Sequence, residues 1–132
     1  MQVYYFTRTG NSRHIALQIA NSHNLTALEI SDNQDWNGVR NFIRAGAMAA
    51  KRETIPVNHT AINPLNSIIL VFPIWAGTLP PAIRSFLEYT NANRITAVVL
   101  SAYSSLNPDD CLFFSNIFQI KGKNFIVPPD LL

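Results

Sequence analysis

The chain of 132 residues is poor in cysteine, glycine and charge, and each shortage narrows what it can be. Its single cysteine, Cys111, has no intrachain partner, so no disulfide framework holds the fold and nothing calls for an oxidising compartment. Five glycines include neither the triple-glycine turn of a dinucleotide site nor a Gly-Lys-Ser/Thr phosphate loop. Charged residues make up only 14% of the chain against 48% hydrophobic, which excludes intrinsic disorder. No apolar run approaches the roughly 18 residues of a membrane span, and ten basic against eight acidic side chains are too even a balance to imply nucleic acid. A strand pattern starts at Gln2 with no basic or apolar leader ahead of it, so no signal peptide is expected. These exclusions predict one cytoplasmic, globular domain over residues 1–132, with no membrane and no nucleic acid among its partners.

What is present is an alternation of strands and helices. Val3-Tyr4-Tyr5-Phe6 is short and wholly apolar, as expected of a strand covered on both faces. After the polar loop 7–12, Ile15, Ala16, Ile19 and Ala20 keep one face of a helix. Leu25 to Ile30 reads as a second strand, less apolar and therefore at an edge. From Asn33 to Glu53, Val39, Phe42, Ile43, Ala47 and Ala50 fall at helical spacing, with Arg40, Arg44 and Lys51 on or near the other face. A proline-bearing connection, Ile55 to Pro64, leads to the strand Ser67–Phe72, closed by Pro73. Pro80 and Pro81 suit the first turn of a helix whose apolar face is Ile83, Phe86 and Leu87. Ile95 to Leu100 is a fourth buried strand; Asn107 or Asp109 would cap a weaker helix through Phe118, and Asn124–Val127 reads as the last strand. This order predicts an α/β fold with a mostly parallel sheet, whose ligand loops lie at the carboxyl ends of the strands: 7–12, 73–79 and 101–105.

The first of these loops has the chemistry of an anion site. Thr7, Thr9 and Ser12 bring hydroxyls, Gly10 allows close backbone approach, and the following helix offers unpaired N–H groups and the positive end of its dipole. Arg8 and Arg13 flank it. An ordinary turn capped by Asn11 or Ser12 would explain the same residues without a ligand.

The segment Tyr5-Phe6-Thr7-Arg8-Thr9-Gly10-Asn11-Ser12 resembles the strand and phosphate loop of flavodoxins, in which Thr/Ser-x-Thr-Gly-Asn-Thr/Ser wraps the phosphate of FMN. Phe72-Pro73-Ile74-Trp75-Ala76-Gly77-Thr78-Leu79-Pro80-Pro81, continuing to Phe86-Leu87, is similar to the third-strand loop and next helix of short-chain flavodoxin-like proteins. Asn41-Phe42-Ile43-Arg44-Ala45-Gly46 is similar to their second helix, and the matches cover about residues 1–100 in the right order. The resemblance implies a flavodoxin-like three-layer sandwich on a parallel five-stranded sheet of order 2-1-3-4-5. It also implies an FMN site built from Thr7, Arg8, Thr9, Gly10, Asn11 and Ser12, from Pro73, Ile74, Trp75, Ala76, Gly77 and Thr78, and from Ser101, Ala102 and Tyr103. In that scheme Trp75 stacks on the flavin, a peptide at Ala76-Gly77 approaches its central nitrogen, and Tyr103 lies on the other face or the pyrimidine edge.

The implied activity is electron transfer to a redox partner protein or a small-molecule acceptor. An FMN-dependent NAD(P)H:quinone or small-molecule reductase is the alternative. A binding or scaffold module that has lost FMN is the reading from another class. No catalytic side chain and no metal site is expected: His14, His23 and His59 share no metal-like spacing, Cys111 opens an apolar run, and Asp109-Asp110 suit a helix start.

Two features depart from the family. Electron-carrying flavodoxins are acidic, whereas this sequence has a pI near 8.9, with Arg40, Arg44, Lys51 and Arg52 along one helix and its end. The closing Pro128-Pro129-Asp130-Leu131-Leu132 bars the family's fifth helix, so apolar sheet surface near strands three to five is expected to lie open and to be covered by a homodimer or another subunit.

Overall fold

The computed structural model describes residues 1–90 and 93–132. Five strands, β1 (Gln2–Tyr5), β2 (Ala27–Glu29), β3 (Ile68–Pro73), β4 (Ile95–Ser101) and β5 (Asn116–Lys121), alternate with four helices, α1 (Asn11–Ser22), α2 (Val39–Ala50), α3 (Pro81–Leu87) and α4 (Pro108–Cys111). All strand pairs are parallel and the sheet order is β2-β1-β3-β4-β5. This is the flavodoxin-like three-layer sandwich, with β2 at an edge as its sparse apolar content predicts.

Because side chains alternate across a strand, each face of the sheet draws its own core. Tyr4, Leu70, Phe72, Ala97 and Val99 face one layer, against Ala45 and Ala49 of α2 and Ile83 and Phe86 of α3. Val3, Tyr5, Ile69, Val71, Val98 and Leu100 face the other, against Ile15, Ala16, Ile19 and Ala20 of α1. The central strands β3 and β4 are buried on both sides, which is why they read as unbroken apolar runs.

Three expectations are corrected. The helix expected through Phe118 is only the single turn α4; Asn107 caps it, its side chain accepting the Asp110 N–H at 2.9 Å, and the chain then enters β5. Phe113, Phe114, Ile117 and Phe118 imitate helical spacing, but Asn116–Lys121 pairs along β4, with Ile117 on one face and Phe118 and Ile120 on the other. The last strand is therefore β5, and Asn124–Val127 lies in the segment that follows it.

No α-helix follows β5 among the described residues, only a single 3-10 turn at Pro129–Leu131, yet the sheet face expected to lie open is closed. The stretch after β5 folds back over it, burying Val127 and Leu131 in the α1-side core, and the Leu131 carbonyl accepts a hydrogen bond from His23 Nε2 at 2.9 Å. Ile69, Val98, Leu100 and Ile120 are consequently at most 6% exposed, so the open surface from which a homodimer was expected is not there.

The helix α2 turns an unexpected side to the sheet. Its apolar stripe does not face the core: Val39, Phe42 and Ile43 are exposed, while the helix buries only Ala45 and Ala49. Small residues on the inner side let α2 lie close to the sheet, and the bulky ones are left facing outward.

Candidate functional site

A cavity of about 610 Å³ opens at the carboxyl ends of β1, β3 and β4. It sits where the chain order of the strands reverses direction between β1 and β3, the crevice at which open α/β sheets bind ligands. The three loops singled out from the sequence meet here.

The first loop closes on itself through the Gly10 N–H, which donates to Thr7 Oγ1 at 2.8 Å. Gly10, at φ 98°, is the N-cap of α1, and no side chain caps the helix. The turn capped by Asn11 or Ser12 is thus not what forms. The first N–H groups of α1 are left without a side-chain acceptor and point toward the mouth of the loop. Thr7, Arg8, Thr9, Asn11 and Ser12 line the cavity. Arg8 is held from two sides: its Nε donates to the Trp36 carbonyl at 3.0 Å, and its guanidinium lies 5.1 Å from the centre of the Phe42 ring.

The second loop is a two-residue hairpin. The N–H and carbonyl of Trp75 and Thr78 bond reciprocally at 3.0 Å, with Ala76 and Gly77 both in the left-handed region at φ 53° and 73°. That pair of angles is a type I′ turn, which glycine adopts freely and alanine only with strain. Pro73, Ile74, Trp75 and Ala76 line the cavity; Gly77 and Thr78 do not. The Gly77 carbonyl instead accepts the Asn107 N–H at 3.0 Å. Trp75 is only 8% exposed, its ring packed edge-on against Phe6 and Trp36 at 5.6 and 4.9 Å between centroids, so it serves the core as well as the cavity wall.

Behind this hairpin lies a buried polar knot. One oxygen of Asp110, Oδ2, accepts from the Thr78 hydroxyl at 2.5 Å, Arg84 Nη2 at 2.9 Å, Asn107 Nδ2 at 2.9 Å and the Leu79 N–H at 3.3 Å. Burial pushes the Asp110 carboxyl up, but hydrogen bonds from Thr78 and Arg84, the Arg84 charge and the Asn107 amide outweigh it and hold its pKa below the ordinary value. Asp110 and Thr78 thus tie the start of α3 and the turn of α4 to the 75–78 hairpin. Their chemistry is internal and neither faces the cavity.

The third loop is stapled to the end of β5. The Gly122 N–H is shared between the carbonyls of Ser101 and Ala102 at 3.1 and 3.0 Å, and the Ser101 hydroxyl donates to the Ser104 carbonyl. Ser101 and Ala102 line the cavity, while Tyr103 is outside the lining and 87% exposed.

Several lining residues escaped sequence reasoning: Phe42, Ala45 and Gly46 on α2, Leu100 at the end of β4, and Gly122, Lys123 and Phe125 after β5. The α2 residues fall within the stretch 41–46 that carried part of the resemblance. Residues 122–125 carry no such signal, because β5 ends at Lys121 and leaves them in the segment after it.

The completed lining is apolar on its walls, through Phe42, Ile74, Trp75, Leu100 and Phe125, and carries Arg8 and Lys123 with no aspartate or glutamate. Positive charge, free N–H groups at one end and flat apolar walls at the other suit a ligand that joins a phosphate to a planar ring system.

The sequence matches no family model and none of the curated proteins. Solved structures share its architecture at low identity. A flavoprotein in complex with FMN from Lactobacillus acidophilus aligns at TM-score 0.70 and 13% identity, over 92% of this chain and 91% of that one. Provisional flavoproteins from Bacteroides uniformis and Bacteroides eggerthii align at TM-scores 0.69 and 0.68, with 17% and 18% identity. They cover 93% and 92% of this chain, and 90% and 85% of their own. At these identities the likeness is one of fold.

Proposed function

We propose that this chain binds FMN in the cavity at the ends of β1, β3 and β4 and works as a flavin electron carrier. The observation that carries the reading is the 7–12 loop: α1 begins with no side-chain cap, facing a cavity whose only charged residues are cations. The FMN found in the Lactobacillus acidophilus structure of the same fold supports it.

The residues present fit the group. The N–H groups at the start of α1, with the Thr9 and Ser12 hydroxyls, hold a phosphate, and Arg8, fixed by Trp36 and Phe42, adds charge without having to be ordered on binding. Ile74, Trp75, Leu100 and Phe125 supply apolar walls that would keep water from the ring, and the backbone of Ala76, Ser101 and Ala102 in the lining offers polar groups for its edges. When bound, FMN supplies one- and two-electron redox chemistry, and the protein tunes it through polarity and exposure.

The test is a titration of the purified protein with FMN, followed by flavin fluorescence and the visible spectrum. Saturable quenching with a shifted flavin band, and weaker binding of riboflavin, which lacks the phosphate, is expected. Free-flavin behaviour at tens of micromolar would refute the assignment.

A further inference from the structure

We infer that the outer face of α2 is the docking surface for an acidic electron-carrier protein, which it seats at the mouth of the cavity. That the docked protein exchanges electrons rests on the FMN reading above; that the surface binds an acidic protein does not.

The surface is apolar where a solvated helix should be polar. Val39, Phe42 and Ile43 are 77%, 60% and 65% exposed, spaced as neighbours on one stripe, while the side of the helix turned to the sheet carries alanines. Single exposed apolar residues are ordinary, but a contiguous stripe marks an interaction site. Phe42 also lines the cavity, so the stripe runs into its mouth. Ile126, 78% exposed, follows the lining residue Phe125 on the opposite side of the sheet, which gives the mouth a second apolar lip.

The charges on α2 itself are of one sign, while Glu29, Asp32 and Asp35 line a smaller pocket on the far side of Arg8. Arg40 and Arg44 interleave with the stripe, α2 carries no carboxylate, and Arg8 and Lys123 stand at the cavity rim. Among the described residues none of these four cations lies in a salt bridge, the two that form being Arg52–Asp109 and Arg84–Asp110. Two of the guanidiniums are fixed in place, Arg44 lying 4.5 Å from the Trp36 ring centre with Nη2 on Gln34 Oε1 at 3.3 Å, and Arg8 lying over Phe42. Planar donors held in position suit discrete carboxylates arranged around an apolar centre.

That distinguishes the partner. A second copy packed face to face would set Arg40 and Arg44 against their own equivalents with no acidic residue on the helix to meet them. An anionic membrane asks for flexible cations and a longer apolar face than three side chains. An acidic protein with an exposed apolar patch satisfies both the stripe and the charges.

The probe is a plant-type [2Fe–2S] ferredoxin, an acidic one-electron carrier, titrated into isotopically labelled FMN-loaded protein and, separately, into flavin-free protein, with amide shifts read by NMR. Shifts confined to α2 and the cavity mouth at low salt, weakened at least tenfold by 0.3 M salt on the order expected for screened charge, are expected in both forms. Arg40→Glu should weaken binding about tenfold or more and Ile43→Ser several-fold, with the spectra of both variants otherwise unchanged because both side chains are solvent-facing.

Absent or scattered shifts, equal binding of the basic protein cytochrome c, or α2 shifts caused by anionic vesicles or by rising concentration of the protein itself would overturn the inference. Loss of flavin binding with the α2 shifts intact would overturn the FMN reading alone. Docking on α2 without faster flavin reduction by reduced ferredoxin would overturn the electron-exchange part.

Discussion

Replacing Asp110 by alanine isolates the polar knot that holds the cavity's second loop. One oxygen of this buried carboxylate gathers Thr78, Leu79, Arg84 and Asn107, and Arg84 is itself only 10% exposed, with its Nε already lacking a partner. Removing the acceptor leaves a buried guanidinium uncompensated, a change that costs about 3–5 kcal/mol. The unfolding entropy of globular proteins, about 2.1 cal/mol/K per residue, then gives a fall in Tm of about 11–18 °C for a chain of this length. Urea unfolding followed by circular dichroism reads the loss directly. Changing Arg84 to methionine in the same chain should recover part of it, since the orphaned charge is then gone.

The pH dependence carries a sign of its own. Because Asp110 titrates below its ordinary value of 3.8 in the folded protein, its contribution is complete above that value and disappears as pH falls through the folded pKa. The gap between wild type and Asp110→Ala should therefore be flat above about pH 5 and narrow in stronger acid. A loss under about 1 kcal/mol at neutral pH would refute the view that this knot, rather than the hairpin's own hydrogen bonds, fixes the loop.

The hairpin gives a paired prediction: Ala76→Gly should stabilise the fold by about 0.5–1 kcal/mol by relieving a left-handed alanine, whereas Gly77→Ala should destabilise it by about 1 kcal/mol through backbone strain alone, since an added Cβ meets nothing closer than the Ser105 carbonyl at 3.9 Å. Denaturation midpoints of the two variants check both signs. Trp75→Ala should lower stability by about 3–5 kcal/mol even without flavin, because it empties a site shared with Phe6 and Trp36; an unchanged midpoint would show that the ring belongs to the ligand rather than the core. Thr9→Glu places a carboxylate at the uncapped start of α1 and should weaken FMN at least tenfold while leaving riboflavin nearly unaffected, as measured by fluorescence titration; equal weakening of both would mean that the phosphate lies elsewhere.

The sheet and the three loops were legible because a parallel strand buried on both sides leaves a plain trace: Ile68–Phe72 and Ile95–Leu100 have no polar face to obscure them. Edge structure leaves a weaker one. In β5 the exposed Asn116, Gln119 and Lys121 break the apolar run, and the aromatic pair before it completes a false helical period. With β5 displaced, the cavity wall at Gly122, Lys123 and Phe125 was out of reach. The orientation of α2 was not legible for a different reason, since periodicity shows that a helix has an apolar side but not which side meets the protein. Only the positions of Ala45 and Ala49 against Tyr4 and Phe72 decide that.

That inversion of α2 and the protein's mild charge belong to one arrangement. A net charge of +2 reads as near neutrality over the whole chain, but the acidic side chains are not spread evenly among the basic ones. Asp110 is spent inside on Arg84, Asp109 pairs with Arg52, and Asp32 accepts the Trp36 indole N–H at 2.8 Å. Of the eight lysines and arginines outside those two ion pairs, Arg8 and Lys123 line the cavity and Arg40 and Arg44 lie on α2, beside the apolar stripe that the alanine-lined inner face leaves pointing outward. Local field, not net charge, governs what approaches the site. A surface that is basic and apolar at the rim therefore selects its partners by its own local charge, which neither the fold nor the net charge of the chain determines.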